Sequence, residues 1–377
     1  MSALLTALLA VLPPPAGAAY TEKLIQIGVI HGVRQLTVKP EGRFSLRDAE
    51  GRWEEDLLPF KDYRVSSDGD SVAFGPYRVP GQARLVARDP GATVLAGPRR
   101  YRGGLVIKPA VDESLTVVAE LGVEEYLLGV LPHEMEPGWP REALKAQAVV
   151  ARTFAYYHLG KYKKAGFDLT ADTRSQVYGG VGADNEAVRR AVSETRGEVL
   201  GYKGELLDVY YHACCGGHTA DYAVVWGHGR AVPPLRGVRD KYCPKSPLGR
   251  WKALIPKDEV LTVLQSRRMV GGRLKSFRLG KRDPAGYVRS FLAVVGGEAM
   301  VVDAEEFRRA VGATVLRSLR LRKASLGRRG VEFEGSGSGH GVGLCQWGAR
   351  IQAEAGRRYE QILKLYYPGS TLSVVDE

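Results

Sequence analysis

The chain has 377 residues, of which 44% are hydrophobic and 25% charged, a composition that excludes a largely disordered protein and predicts two or three globular domains. The 54 basic and 42 acidic residues give a net charge of +12, which favours an anionic partner. No zinc-finger spacing or aromatic RNA-binding pattern accompanies this charge, so we expect no nucleic-acid partner.

The start of the chain has the pattern of an export signal. An uncharged apolar run over residues 2–12 leads through three prolines to Ala16-Gly17-Ala18, which fits an A-x-A cleavage site. We therefore predict a signal peptide over residues 1–19 and an exported protein of the periplasm or cell envelope. An unstructured start is the alternative, because no basic residue precedes the run. No segment is long and apolar enough for a transmembrane span in the mature chain.

Four regions follow the signal peptide. Residues 20–110 predict a small β domain, because short apolar runs alternate with Gly and Asp turns. Residues 111–249 predict the core, with a strand at 115–121, helices at 123–131, 141–164 and 187–200, and a long loop after residue 213. Residues 250–330 predict an inserted α+β subdomain, and residues 331–377 return to the core.

Two local patterns support this assignment. The 141–164 helix has an apolar stripe at three- and four-residue steps, formed by Leu144, Ala148, Ala151, Ala155 and Leu159. A capping box of Asp303 and Glu306 begins a helix in the inserted subdomain. The predicted fold class is α+β: a mixed helical and β core with a substrate cleft, an inserted small α+β subdomain and an N-terminal β domain.

Glu134 is the first residue with a chemical signal. It lies between the end of a predicted helix and a proline-rich turn, near Met135, Pro137 and Trp139. Such neighbours remove water from a carboxyl group, which raises its pKa and keeps it protonated as a general acid requires. An ordinary surface glutamate is the alternative.

The glycine-rich segment around His340 is the second. Every second residue from Gly335 to Gly343 is glycine, but neither a P-loop ending nor a dinucleotide-binding fingerprint is present. The glycines therefore indicate close approach of the backbone to a ligand or to another strand. His340 would orient a substrate or a carboxylate there, or serve a structural turn.

A cluster of histidines and cysteines is the third. His212, Cys214, Cys215 and His218, with Cys243 downstream, leave two interpretations open. One is a disulfide of Cys215 or Cys214 with Cys243, since an exported protein meets an oxidising environment. The other is a zinc site formed by His212, Cys215, His218 and Cys243, although the spacing matches no standard zinc finger. A cysteine nucleophile beside His212 is a weaker idea.

Four ordered motifs together resemble the SpoIID/LytB family. They are LGVLPHEM with WPREALKAQAVVART (residues 128–135 and 139–153), DTRSQVYGG (172–180), YH with GGHT (211–212 and 216–219), and GHGVGLCQWGA (339–349). The resemblance implies action on bacterial peptidoglycan, with Glu134 as the catalytic acid/base. It implies substrate contacts at Lys145, Gln147 and Arg152 of the long helix and, within the other motifs, at Gln176, Tyr178, His212, His340 and Gln346.

The chemistry implied by this resemblance is that of a lytic transglycosylase acting on glycan strands stripped of stem peptides. Hydrolysing glycosidases use two carboxyl groups. In a lytic transglycosylase the 6-hydroxyl of muramic acid attacks C1, so one carboxyl group, here Glu134, protonates the leaving oxygen and later accepts the hydroxyl proton. The product is a 1,6-anhydromuramoyl end.

Two alternatives to this enzyme remain. LytB-type relatives are modifiers of a cell-wall amidase, so the chain would instead bind glycan and stimulate that partner without needing Glu134. The second alternative is a zinc-dependent wall hydrolase. Some family members bind zinc through a His-Cys pair just before Gln-Val-Tyr, but this chain has Arg174-Ser175 at that place. We therefore expect no cofactor, and any zinc would use the His212–Cys243 cluster.

Overall fold

The structure is a computed structural model that describes residues 23–182, 185–226, 229, 231–266 and 271–375. The predicted signal peptide lies outside these residues. Within them, no helix has both the length and the apolar character needed to cross a bilayer.

Residues 23–122 form a succession of strands joined by short turns. The strands are β1 (Leu24–Val33), β2 (Gln35–Glu41), β3 (Phe44–Arg47), β4 (Glu54–Leu57), β5 (Tyr63–Asp68), β6 (Ser71–Phe74), β7 (Tyr77–Pro80), β8 (Ala83–Ala87), β9 (Thr93–Ala96), β10 (Arg99–Arg102), β11 (Gly104–Pro109) and β12 (Leu115–Gly122).

The core region of residues 123–226 is mainly helical. Its helices are α1 (Val123–Glu134), α2 (Arg141–Tyr157), α3 (Glu186–Glu194) and α4 (Tyr222–Val225), and its short strands are β13 (Leu169–Thr170), β14 (Glu198–Tyr202), β15 (Glu205–Leu206) and β16 (Tyr211–His212).

The remaining residues add a third group of elements. They are β17 (Trp251–Pro256), α5 (Lys257–Gln265), β18 (Leu274–Leu279), β19 (Ser290–Val295), β20 (Glu298–Asp303), α6 (Ala304–Val311), β21 (Leu321–Leu326), β22 (Gly330–Gly335), β23 (Leu344–Cys345), α7 (Gln346–Glu354), α8 (Tyr359–Tyr366) and β24 (Thr371–Val374). The predicted α+β class is confirmed.

The N-terminal strands form two sheets with the orders β13-β1-β12-β11-β8-β3-β4 and β10-β9-β2-β5-β6-β7. Buried side chains from both sheets, among them Val65, Phe74 and Ile107, belong to one hydrophobic core. β11 and β12 pair as an antiparallel hairpin, so strand pairing continues across the domain boundary predicted at residue 110. β13 joins this sheet in parallel with β1 and delivers the chain to the loop that follows it.

α2 is the central helix of the core, and it packs against α1, α3, α7, α8 and β14. The predicted stripe residues Leu144, Ala148, Ala151 and Ala155 are fully buried. The small side chains of the three alanines let several elements approach one helix. The helix ends at Tyr157, earlier than predicted, because Gly160 adopts a left-handed conformation (φ +76°) and turns the chain.

The inserted region forms a six-stranded antiparallel sheet with the order β17-β22-β21-β18-β19-β20. Its core contains Phe277, Phe291, Phe307 and Phe333, whose rings pack in tilted and edge-on pairs. The Asp303 side chain accepts the Glu306 N–H at 2.8 Å, which caps α6 and forms one half of the predicted capping box. β22 completes this sheet from beyond the boundary predicted at residue 330.

Two late pairings return the chain to the core. β24 pairs antiparallel with β14, and β23 pairs in parallel with β16. The second pairing places Tyr211 beside Leu344 and His212 beside Cys345. Gly339 and Gly343 make this approach feasible, since both have positive φ and a Cβ at either would press against His212 or the Tyr210 carbonyl.

Candidate active site

Glu134 is the last residue of α1, and its side chain lines an open cleft of about 860 Å³. The helix ends there because Met135 turns to an extended conformation while its N–H caps the Leu131 carbonyl. The other residues of the cleft are Phe154, His158, Lys161, Thr173, Arg174, Ser175, Val177, Tyr210, Tyr211, Trp226 and His340. Among these described lining residues, Glu134 is the only acidic one.

The surroundings of Glu134 suit a general acid. Burial raises the pKa of its carboxyl above the ordinary glutamate value. Two weaker effects oppose this shift: the Val177 N–H donates to Oε1 at 3.0 Å, and the Tyr211 hydroxyl donates to the carboxyl. The carboxyl therefore stays protonated to higher pH than a surface glutamate, while both donors fix its orientation.

A buried chain of hydrogen bonds directs the Tyr211 hydroxyl towards Glu134. The Tyr126 hydroxyl donates to Gln176 Oε1 at 3.3 Å, and Gln176 Nε2 donates to the Tyr211 oxygen at 3.2 Å. Because Gln176 is the donor in this second bond, the Tyr211 proton is left for Glu134. Burial, followed by the nearby Glu134, raises the pKa of Tyr211 well above its usual value and keeps it a neutral donor.

Gln346 connects the start of α7 to the end of α1. Its Nε2 donates to the Glu134 carbonyl oxygen at 2.9 Å and lies 3.4 Å from Gln147 Oε1. Gln346, Gln147 and Gln176 were each predicted as substrate contacts, but all three are buried and none lines the cleft. In the structure Gln346 binds the backbone of Glu134 and Gln176 binds the Tyr211 hydroxyl. Gln147 contacts Gln346.

Aromatic rings form one wall of the cleft. The Trp226 ring lies 4.7 Å from the His340 ring and 4.9 Å from the Tyr210 ring, measured between centroids. His340 Nδ1 accepts the Val342 N–H at 3.1 Å. Burial, and then the neighbouring His212, lowers the pKa of His340, so this wall is uncharged at neutral pH. Flat apolar surfaces of this kind bind the faces of ligand rings.

The cleft is also lined by basic residues, Lys161 and Arg174. Lys161 Nζ donates to the Arg174 carbonyl at 3.1 Å, and the Arg174 guanidinium binds Asp172 at 2.8 Å. The hydrogen bond from Arg174 is the main cause that lowers the pKa of Asp172 to about 2. Ser175 Oγ accepts from the Thr170 N–H at 3.2 Å. These residues supply no sulfur or imidazole ligand, so they do not fit the zinc site that some family members have here.

Three other residues predicted to contact substrate lie outside the cleft. Arg152 is fully buried, and its Nε and Nη2 each lie 2.7 Å from the Glu124 carboxylate. Lys145 Nζ lies 3.0 Å from Glu194. Tyr178 is buried against α1 and shows 1% of its surface. Burial and ion pairing give all three a structural position.

The two histidines of the predicted zinc set are turned to the backbone. His212 is buried, and its Nδ1 lies 3.1 Å from the Val342 carbonyl oxygen. Burial lowers the pKa of His212 to about 4. His218 Nδ1 lies 2.8 Å from the Thr219 carbonyl oxygen. Neither histidine belongs to a group of described residues that converges as metal ligands.

All four cysteines are free and buried, so the predicted disulfide of Cys243 with Cys215 or Cys214 is not formed in the structure. Cys243 Sγ instead lies 2.7 Å from Cys214 Sγ. Cys215 and Cys243 converge with Cys345 and Asp240, so the region contains more sulfur than one bridge would use.

Several residues of the cleft were missed by sequence reasoning. Tyr211 stands next to the selected His212 in the third motif, and its position in that motif was the available signal. Tyr210 and Trp226 lie in regions without periodicity, so no pattern distinguished them from core aromatics. Asp240 lies outside the cleft, in the long loop and three positions before Cys243, and was also missed.

Comparison with known proteins relates the chain to one family. The SpoIID family, described as "Stage II sporulation protein", matches residues 111–202, which include Glu134 and Gln176. An uncharacterized protein of Brachyspira hyodysenteriae is 38% identical over 277 residues, which is 73% of this chain and 72% of that protein.

Two Bacillus subtilis proteins are also similar. The protein named amidase enhancer is 31% identical over 295 residues, covering 66% of this chain but 40% of that protein. The stage II sporulation protein D is 28% identical over 303 residues, covering 74% of this chain and 82% of that protein.

Proposed function

The chain belongs to the SpoIID family, and on that basis we propose that it is a peptidoglycan lytic transglycosylase. It cleaves the β-1,4 bond between N-acetylmuramic acid and N-acetylglucosamine with Glu134 as its acid/base. The main support for this proposal is the position of Glu134. Its carboxyl group is partly buried and has a raised pKa, and it is the only acidic residue among the described residues lining its cleft. A single carboxyl group suits an intramolecular reaction better than hydrolysis, which uses two.

The proposed reaction has two proton transfers at the same carboxyl group. Protonated Glu134 donates its proton to the glycosidic oxygen as the bond between C1 and that oxygen breaks. The 6-hydroxyl of the same muramic acid then forms a bond to C1 and gives its proton to the Glu134 carboxylate. The products are a free 4-hydroxyl on one sugar and a 1,6-anhydro ring on the other, and Glu134 ends protonated as it began.

Tyr211 and Val177 assist both steps. Their hydrogen bonds to the carboxyl are strongest when Glu134 is charged, which is its state between the two proton transfers. Gln176 holds the Tyr211 hydroxyl in this orientation. The donors therefore stabilise the charged intermediate state without moving during the reaction.

The lining of the cleft offers contacts for both the sugar rings and the carboxylates of a glycan strand. Trp226 and His340 offer flat surfaces to sugar rings. Lys161 offers a positive charge to the lactyl carboxylate that muramic acid exposes when its stem peptide is removed. We therefore assign peptide-stripped strands as the substrate and the cell envelope, reached by export, as the place of action.

The test compares the wild type with Glu134→Gln on peptidoglycan stripped by an amidase, with products identified by mass spectrometry. Glu136→Gln is the matched control, since this exposed residue lies two positions away and contacts only Trp139 among the hydrogen bonds described. We expect anhydro-ended fragments from wild type and Glu136→Gln, and none from Glu134→Gln. Reducing-end fragments from the wild type would contradict the proposal.

A second function has support from the relative named amidase enhancer. In that case the protein binds glycan and stimulates a cell-wall amidase, and Glu134 has no chemical role. Wild type and Glu134→Gln would then stimulate the amidase equally, and neither would release anhydro-ended fragments alone.

A further inference from the structure

Four side chains in the core converge in a way that the catalytic proposal does not use. The sulfur atoms of Cys215, Cys243 and Cys345 and a carboxylate oxygen of Asp240 all lie within 4.8 Å of one another. All four residues are buried, each with at most 1% of its surface exposed. They come from three separate segments that β16, β23 and the loop between α4 and β17 bring together.

The sulfur atoms are surrounded by backbone donors. Cys345 Sγ accepts the N–H of Cys215 at 3.2 Å and that of Gly348 at 3.3 Å. Cys243 Sγ accepts the N–H of Gly216 at 3.3 Å. Neutral thiols are weak acceptors, whereas thiolates bound to a metal are regularly supported by such donors. These backbone donors are therefore placed where they would support metal-bound thiolates.

Asp240 is held in the same manner. Its Oδ1 accepts the N–H of Tyr242 at 2.8 Å and of Cys243 at 3.1 Å, and its Oδ2 accepts the Tyr366 hydroxyl proton at 2.7 Å. The carboxylate lies 3.4 Å from Cys215 Sγ. Ligating carboxylates in metal sites are hydrogen-bonded and oriented by a surrounding shell of this type.

We propose that Cys215, Cys243, Cys345 and Asp240 bind a structural zinc ion. Three sulfurs and one oxygen make a soft ligand set that favours zinc over hard cations. Tetrahedral zinc with bonds of about 2.3 Å places its sulfurs roughly 3.8 Å apart, which agrees with the observed convergence. A disulfide would use two sulfurs and leave a third thiol and a carboxylate buried beside it. The site is closed and buried, so its role is structural.

The ion would hold together the segments that carry the catalytic groups. Cys345 directly precedes Gln346, which supports Glu134, and Cys215 lies four positions after Tyr211. Loss of the metal would loosen both supports. Zinc binding itself, rather than its effect on Glu134 and Tyr211, is what the experiment measures.

The test measures metal content in the full-length, tag-free protein produced with added zinc. We expect about one zinc ion per chain in the wild type. The zinc content per chain should be at least about tenfold lower in Cys243→Ser and in Cys345→Ser. Cys214→Ser is the matched control. Its sulfur contacts Cys243 Sγ and Ser246 Oγ but lies outside the ligand set, so this variant should retain the zinc.

A spectroscopic measurement on the wild type tests the site even if the cysteine variants do not fold. Replacement of the metal by Co²⁺ should produce thiolate-to-cobalt charge-transfer absorption and the intense visible bands of a tetrahedral site. Wild-type protein without zinc and without these bands would overturn the proposal, as would an internal disulfide found by mass spectrometry under non-reducing conditions. Loss of zinc in Cys214→Ser with retention in Asp240→Asn would overturn the assignment of Asp240 as the fourth ligand.

Discussion

Replacing Arg152 by methionine should destabilise the protein rather than weaken its binding of glycan. The Arg152 guanidinium is fully buried and forms two 2.7 Å hydrogen bonds with the Glu124 carboxylate. It also donates to the carbonyl oxygens of Glu198 at 3.1 Å and Val192 at 3.3 Å. These contacts join α2 to α1, to the end of α3 and to β14, and they lie away from the cleft.

The size of the effect follows from the burial of this pair. Removing one partner of a buried ion pair leaves the other charge without compensation and costs about 3–5 kcal/mol. We expect Arg152→Met to lower the free energy of unfolding in urea by this amount. Arg152→Met combined with Glu124→Leu should recover part of the loss, because no buried charge then remains. Lys145→Met is the control, since its ion pairs with Glu142 and Glu194 are partly exposed.

One result would refute this reasoning. If Arg152→Met unfolded at nearly the wild-type urea concentration but lost its affinity for stripped glycan, Arg152 would contact substrate, as the family resemblance implied. Circular dichroism in urea and glycan pull-down on the same preparations separate the two cases.

Three further predictions concern the cleft. Tyr211→Phe removes a hydrogen bond that favours the charged carboxylate, so the pKa of Glu134 should rise. The alkaline limb of the pH–rate profile should then move to higher pH, and an unmoved limb would show that Tyr211 does not donate to Glu134. Trp226→Ala should raise KM for glycan about tenfold with a smaller change in kcat, because stacking acts on bound substrate and transition state alike, and an unchanged KM would remove Trp226 from the substrate path. Gln346→Ala should lower kcat about tenfold at nearly constant KM in steady-state assays, because the backbone of Glu134 loses a support, and unaltered kcat would contradict that role.

Local patterns were sufficient to predict much of the fold. The apolar stripe of α2 predicted a helix with a buried face, and the Asp303 cap follows from short-range chemistry. The end of α2 was placed too late, because apolar periodicity continues past the residue where Gly160 turns the backbone. Strand pairings across the boundaries predicted at residues 110 and 330 depend on long-range contacts that no local pattern contains.

The site was only partly predictable, because sequence motifs are local and the packing around them is not. Glu134 was identified by its apolar neighbours and by its motif, and the structure places it in a cleft. Gln147, Arg152 and Gln176 belong to equally recognisable motifs, yet a motif does not distinguish a residue that touches substrate from one that supports such a residue. Only the packing shows that these three side chains point into the core.

The cysteine cluster illustrates the limit of spacing arguments. Cys215 and Cys243 stood in one loop and were considered together, whereas Cys345 lies about a hundred residues later in the chain. The parallel pairing of β16 with β23 brings it beside them. Asp240 had no recognisable motif and became a candidate only through its distance to the sulfurs.

The most direct test of the central claim is cleavage of amidase-stripped peptidoglycan by the wild type in water enriched in ¹⁸O. If Glu134 protonates the leaving oxygen and the muramic acid 6-hydroxyl attacks C1, the new ends carry an anhydro ring and contain no ¹⁸O, and Glu134→Gln yields no new ends. New ends that contain ¹⁸O would show that water attacks C1, which would contradict an intramolecular reaction run by a single carboxyl group.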